Sequence, residues 1–218
     1  MEIKNFRAIH DKELIYELIE EGEHVCQDFK FSISDSRKIA RSIAAFANNQ
    51  GGRLLVGVKD NGNIAGIRSE EEFYMIEQAA EMYCKPAQKV KQTLYCIDGK
   101  YVLLVSIAKS SIPVMAQDDN RRWLPYYRIA DENIQVPELM LKVWKASKKR
   151  HSVFSFSDSE TKMLSYISRV EYATVEGIAK EMHMSLSSTE DAVVSLCSMG
   201  VLQFVYHEGE WRIAAAEQ

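Results

Sequence analysis

The run Ala45-Phe46-Ala47-Asn48-Asn49-Gln50-Gly51-Gly52-Arg53-Leu54-Leu55-Val56-Gly57-Val58-Lys59-Asp60-Asn61-Gly62-Asn63-Ile64-Ala65-Gly66 leaves the chain few ways to fold. Ile39, Ala40, Ile43, Ala44 and Ala47 keep a helical period, Ser34 or Asp35 can cap that helix, and Gly51-Gly52 can end it through a left-handed residue. Residues 54–58 then read as a fully apolar strand. Asn61-Gly62 is a turn signal leading into residues 64–67, so a β-hairpin is expected here. A helix driven straight into a buried strand requires a sheet with helices packed on it.

The flanks agree with that frame. Residues 11–21 place Leu14, Ile15, Leu18 and Ile19 on one face of a first helix, and 27–31 form a short strand with Asp28 and Lys30 on one side and Phe29 and Phe31 on the other. A helix is expected over 70–83, strands over 90–96 and 101–107 around Asp98-Gly99, a strand over 126–129, and a closing helix over 137–146 with Pro137 in its first turn. The fold class expected for this part is α/β (α+β), a mixed sheet with packed helices.

Composition shifts at residues 145–160, where Lys145, Lys148, Lys149 and Arg150 give way to serine-rich sequence. This divides the chain into a domain over 1–148, a linker over 149–156 and a second domain over 157–218. In the second, Ser157-x-x-Glu160 and Ser187-x-x-Glu190 fit the capping box and residues 174–182 make another helix. Strands over 201–206 and 211–214 follow, joined by His207-Glu208-Gly209. Three helices and a hairpin in this order resemble a winged helix-turn-helix domain, with residues 187–199 in the place of the recognition helix.

Hydrophobic residues make up 46% and charged residues 27% of the 218, which excludes a disordered chain and a disulfide scaffold. The longest apolar run, 101–108, is far shorter than the ~20 residues of a membrane-spanning helix, and the opening MEIKNFRAIHDKEL has no apolar signal core, so a soluble, cytoplasmic protein is expected. Cys26, Cys84, Cys96 and Cys197 lie far apart without a C-x-x-C pair and read as reduced small hydrophobes. The net charge of −4 is uneven. Residues 1–150 carry 23 Lys and Arg against 21 Asp and Glu, and the remainder 4 against 10, so attraction for phosphate belongs to the first part.

The run over 45–66 resembles the signature of the Schlafen AlbA-like (AlbA_2) domain, whose pattern is an A-F-A-N-x-x-G-G helix end, an apolar strand, G-V-x-D-x-G and a following glycine. An acid-F-K segment is matched by Asp28-Phe29-Lys30, with Asp for the commoner Glu. A Y-Y-x-R-x-G segment is matched in part by Tyr126-Tyr127-Arg128-Ile129, with Ala130 where glycine is usual. The likeness covers roughly residues 10–145 and implies DNA binding. No G-x-x-x-x-G-K-[ST] loop is present, so a Walker-type phosphate cradle is not expected.

Schlafen nucleases of the same domain use three carboxylates and a divalent metal, and the matching positions are Glu23, Asp28 and Asp60. By that resemblance they would be catalytic residues and ligands of Mg²⁺ or Mn²⁺ in a metal-dependent endoribonuclease. An offset of five puts Glu23 and Asp28 on opposite faces of a flat strand, so Glu23 converges only where residues 22–25 bend. Asp28 and Lys30 share a face in any strand. The bland alternative is a solvated helix end, an exposed strand face and a side chain supporting its own turn.

For nucleic-acid contact the expected residues are Lys30, Arg37, Arg41, Arg121, Arg122 and Arg128, with Trp123, Tyr126 and Tyr127 beside the last cluster. Residues 187–199 contain Glu190 and Asp191 and no Lys or Arg, which is poor equipment for reading DNA and as compatible with dimerisation. The expected function is a DNA-binding transcriptional regulator that binds DNA rather than RNA, forms a homo-oligomer (a homodimer), and needs no cofactor. The alternatives are the metal-dependent ribonuclease and a protein-interaction module.

Overall fold

The computed structural model describes residues 7–147 and 156–216. They form an α/β protein with a mixed sheet and seven helices, in two compact units, Met1–Gln135 and Val136–Gln218.

In the first unit α1 (Lys12–Glu21) is capped by Asp11, which accepts from the Leu14 N–H, and stops at Gly22. The strands β1 (Gln27–Lys30), β2 (Gly52–Val56), β4 (Val90–Ile97) and β5 (Lys100–Ile107) form one sheet in the order β1-β2-β5-β4, parallel between β1 and β2 and antiparallel elsewhere. Helix α1 lays Ile15 and Leu18 on one face of this sheet, with Phe29, Leu55, Ile97 and Val102. On the other face lie α2 (Ser36–Asn48) and α3 (Glu71–Met82), packed with Leu54, Val56, Leu103 and Val105. Burial on both faces is why residues 54–58 are apolar without alternation.

A second, antiparallel sheet runs β3-β6-β7-β8, from β3 (Cys84–Lys85), β6 (Met115–Gln117), β7 (Trp123–Ile129) and β8 (Glu132–Gln135). It packs on α2 as well, so that Ile39, Ala40, Ile43, Ala44, Ala45, Phe46 and Ala47 are all buried. Alanine on so many faces lets backbone from both sheets approach one helix closely.

The helix end expected at Gly51-Gly52 is there, and its position is fixed by contact as well as by turn geometry. Gly51 has φ +84°, and a Cβ on it would lie 2.8 Å from the Ile107 carbonyl oxygen; a Cβ on Gly52 would run into the Phe46 ring. The hairpin expected beyond it is reduced to one bridge, Val58 to Ile64. Both edges of β2 are already paired, to β1 and β5, and the chain leaves the sheet at Gly57, whose carbonyl accepts from Ala65 and Gly66. The Asn-Gly turn itself forms, with Gly62 N–H donating to the Lys59 carbonyl at 2.8 Å. The short strands β3, β6 and β8 were not expected; two to four residues give no period to read.

Beyond Gln135 comes α4 (Glu138–Ala146), with Pro137 at its N-cap rather than inside its first turn. The remaining elements are α5 (Asp158–Val170), α6 (Val175–Glu181), α7 (Leu186–Ser198) and the antiparallel pair β9 (Leu202–His207) and β10 (Glu210–Ala215). Composition had placed α4 with the first part. Its Leu139 and Val143 belong instead to the core of Met163, Ile167, Ile178, Val193, Leu196 and Ile213. Of the expected linker over 149–156, all but residue 156 lies outside the described residues.

The capping box at Ser157 and Glu160 is complete. The one expected at Ser187 and Glu190 is not formed: Ser185 is the N-cap, accepting from the Ser188 N–H at 3.1 Å, and Glu190 binds Lys142 instead. A serine two residues earlier offers the same chemistry, so the sequence pattern had two solutions. The four cysteines are unpaired, and burial pushes the thiols of Cys84 and Cys197 up to about 12. Among the described residues no helix is long and apolar enough to cross a membrane.

Ala130, where the resembling pattern has glycine, turns β7 into β8 with φ +50°. An L-residue in the left-handed region costs ~1–2 kcal/mol, partly offset because glycine loses more backbone entropy on folding. Ala130→Gly is therefore expected to raise the urea midpoint, by up to ~1 kcal/mol of stability; a lower midpoint would contradict this account of the turn.

Candidate functional site

The structure divides the expected site residues into two groups. Asp28 in β1 pairs in register with Leu54, so its side chain points to the α2 face, where it is only 2% exposed. Arg128 reaches it from β7 of the other sheet. Its Nη2 lies 3.3 Å from Asp28 Oδ1 and donates to the Gln27 carbonyl, Nε donates to the His24 carbonyl, and Nη1 donates to Asn133 Oδ1 at 3.2 Å. The Phe46 ring lies 5.3 Å from the guanidinium carbon. Arg128, expected on a nucleic-acid surface, is thus 2% exposed with its donors taken. Strand alternation pointed it inward, and a buried guanidinium needs those partners.

Lys30 belongs to the same group, its Nζ 2.7 Å from Asp28 Oδ2 and donating to the Phe29 carbonyl. Glu23 joins them because the chain bends: His24 and Gln27 exchange backbone hydrogen bonds of 3.0 and 3.1 Å, which reverses the chain between α1 and β1. Gln27 locks that bend, donating to the carbonyls of Gly22 and Leu18 and accepting from Arg53 Nε at 2.6 Å. Glu23 Oε1 then accepts from the Phe29 N–H at 2.8 Å. Burial, and then the hydrogen bond it shares with Asp28, push the Glu23 carboxyl above its usual range.

Asp60 is not brought to this pair; it is exposed on the turn after β2. Among the described residues no three His, Cys, Asp or Glu side chains are grouped to hold a metal ion. Both Asp28 oxygens face cations, Lys30 on Oδ2 and Arg128 on Oδ1, so these residues as placed do not fit a divalent ion.

The second group is basic and aromatic. Arg37 and Arg41 lie one turn apart on α2. Arg37 stacks over the Tyr83 ring at 4.9 Å, and Tyr83 accepts the Gln117 N–H through its carbonyl, which places it against β6. Arg41 Nη2 meets Asp119 Oδ2 at 3.1 Å on the β6–β7 turn. On the same turn Asp118 accepts from the Arg122 N–H at 2.7 Å and from its Nε at 2.8 Å. Burial works to raise the Asp118 carboxyl, but these bonds outweigh it and hold it below the usual range. They leave the Arg122 side chain 66% exposed and fixed in direction. Arg121 beside it is exposed, and Lys85 on β3 lies 5.8 Å from the centre of the Trp123 ring. Of the six residues expected to meet nucleic acid, Arg37, Arg41, Arg121 and Arg122 therefore share one face, and Lys30 and Arg128 do not. Tyr83 and the two aspartates were missed, because only the β3-β6-β7 pairing brings them there.

In the second unit α7 packs against α4, and its Glu190 accepts from Lys142 Nζ at 2.9 Å.

A family model described as Schlafen, AlbA_2 matches residues 21–137. Among solved structures the chain is similar to the DIP2311 protein from Corynebacterium diphtheriae, at 18% identity and a TM-score of 0.45, over 72% of this chain and 33% of that one. It thus spans about a third of that protein's length. It is also similar to the N-terminal domain of a RecG-related protein from Nitrosomonas europaea, at 18% identity and a TM-score of 0.36, over 69% of this chain and 100% of that one. No curated protein matches it.

Removing one member of a buried ion pair strands the other, so Arg128→Ala is expected to cost about 3–5 kcal/mol in urea unfolding, and Arg128→Lys, without the planar fork, restores little of it. The raised Glu23 carboxyl favours the folded state below the usual carboxylate range, and this contribution is lost as pH rises through the raised value. Glu23→Gln keeps the acceptor for Phe29 and removes the charge. It is expected to be more stable than the wild type at neutral pH, with the difference closing as the pH is lowered; equal midpoints at both ends would contradict a raised Glu23 carboxyl.

Proposed function

The chain belongs to the Schlafen AlbA_2 family, and from that premise we propose that its first unit binds nucleic acid through the face carrying Arg37, Arg41, Lys85, Arg121, Arg122 and Trp123. The observation that carries this reading is the convergence of those cations from α2, β3 and the β6–β7 turn, with Tyr83 and Trp123 set beside them. Guanidinium groups take phosphates and neighbouring rings take bases or sugars. Arg122 held by Asp118 is directed before any ligand arrives, so less side-chain freedom is lost on binding.

The reading extends to a DNA-binding transcriptional regulator whose second unit is a winged helix. The order α5, α6, α7, β9, β10 supports it. The helix α7 carries no Lys or Arg and its Glu190 is tied to Lys142, so phosphate contact falls to the first unit and the second serves to pair two copies of the chain.

Fluorescence anisotropy against duplex DNA, single-stranded DNA and structured RNA at two salt concentrations tests this. Binding is expected to weaken steeply with salt. The double variant Arg121→Ala, Arg122→Ala is expected to weaken it on every sequence and to flatten the log–log salt slope by about 0.9 per lost phosphate contact on duplex DNA. Binding that ignores both salt and the double variant would sink the proposal.

A further inference from the structure

Phe31 lies outside both groups described above. It follows the last residue of β1, and its side chain is 39% exposed although it is a large aromatic. Two cations from distant segments converge on its ring: the Arg68 guanidinium carbon at 4.7 Å and Lys59 Nζ at 5.6 Å from the centroid. Neither is there by chain proximity. Lys59 is placed by the turn after β2, where its N–H donates to Asn63 and its carbonyl accepts from Gly62. Arg68 is placed by its own N–H, which donates to the buried carboxylate of Glu72 at 2.9 Å. The neighbouring Lys30 side chain is a third exposed.

Lys59 also lines an open cleft of about 490 Å³ with Tyr16, Asn63 and Lys100. An exposed ring flanked by ammonium and guanidinium groups, with Lys59 shared between the ring and a polar cleft that also holds Lys100, matches a ligand with a flat π face and an attached phosphate. A nucleotide has both. In a duplex the base faces are already stacked, so only an unpaired base can lie on Phe31.

We propose that Phe31 is a stacking platform for an unpaired nucleobase, with Arg68 extending or yielding the stack and Lys59 and Lys100 taking the adjoining phosphates. The Phe31 site then gives a single strand an added contact that a duplex cannot make. This rests on the nucleic-acid reading above and adds to it the class of nucleic acid.

The test measures affinity of the full chain for a labelled oligothymidine, an oligouridine of the same length and a duplex of that length. The proteins are the wild type, Phe31→Ala, Phe31→Leu, Phe31→Trp and the Arg121→Ala, Arg122→Ala double variant. Phe31→Ala and Phe31→Leu are expected to lose about tenfold on both single strands and to keep the wild-type affinity for the duplex. Phe31→Trp restores single-strand binding, and its added fluorescence is quenched as the strand binds. Thermal unfolding of each variant separates lost binding from lost fold. If Phe31→Ala binds single strands as the wild type does while the double variant is weakened, the platform is overturned and the nucleic-acid reading stands. Equal loss on duplex and single strands also overturns it. If the wild type binds none of the three, both fall.

Discussion

The buried ion pair of Arg128 and Asp28 ties together two sheets that share no strand. Asp28 stands on β1, Arg128 on β7, and between them runs the last turn of α2 with Phe46 beneath the guanidinium. The same guanidinium donates to the carbonyls of His24 and Gln27, so it also holds the bend that delivers the chain from α1 into β1. A buried charge pair contributes modest net stability compared with an apolar substitute, but it is intolerant of losing one partner.

Around that tie, α2 acts as the shared core of both sheets. The Ala45-Phe46-Ala47-Asn48-Asn49 segment makes structural sense residue by residue. The alanines allow close approach, and Phe46 fills the space between Gly52 and Arg128. Asn48 donates to the carbonyls of Val114 and Tyr126 and accepts from the Val114 N–H, and Asn49 donates to the Arg128 carbonyl. Backbone that would otherwise be buried without partners is satisfied by two amides at the end of one helix. The part of the chain that carries most of the family likeness is therefore mainly architecture.

The cations of the first unit are sorted by that architecture. Lys30 and Arg128 are both committed to the buried carboxylate of Asp28 on β1. Arg37, Arg41, Arg121 and Arg122 stay at the surface, two of them held by aspartates of one turn. The burial pattern of this unit removes some cations from solvent, and its turn geometry orients others.

The sequence by itself determined the periodic features. The α1, α2 and α3 helices, the β4–β5 hairpin around Asp98-Gly99, the Ser157 capping box and the glycine-marked helix end were all legible, because each depends on residues within a few positions of one another. The bend at residues 22–25 was legible as a condition for Glu23 to meet Asp28. Only the tertiary structure decided that it occurs, through Gln27 and Arg53. It also decided that Arg128 is interior, that residues 64–67 do not form a ladder, that α4 packs with the second core, and that Tyr83 and Asp118 belong beside the surface arginines. Each of those outcomes depends on which strand edges are already occupied and on what a side chain meets tens of residues away. Local propensity carries no information about either, since burial and pairing are properties of the assembled sheets.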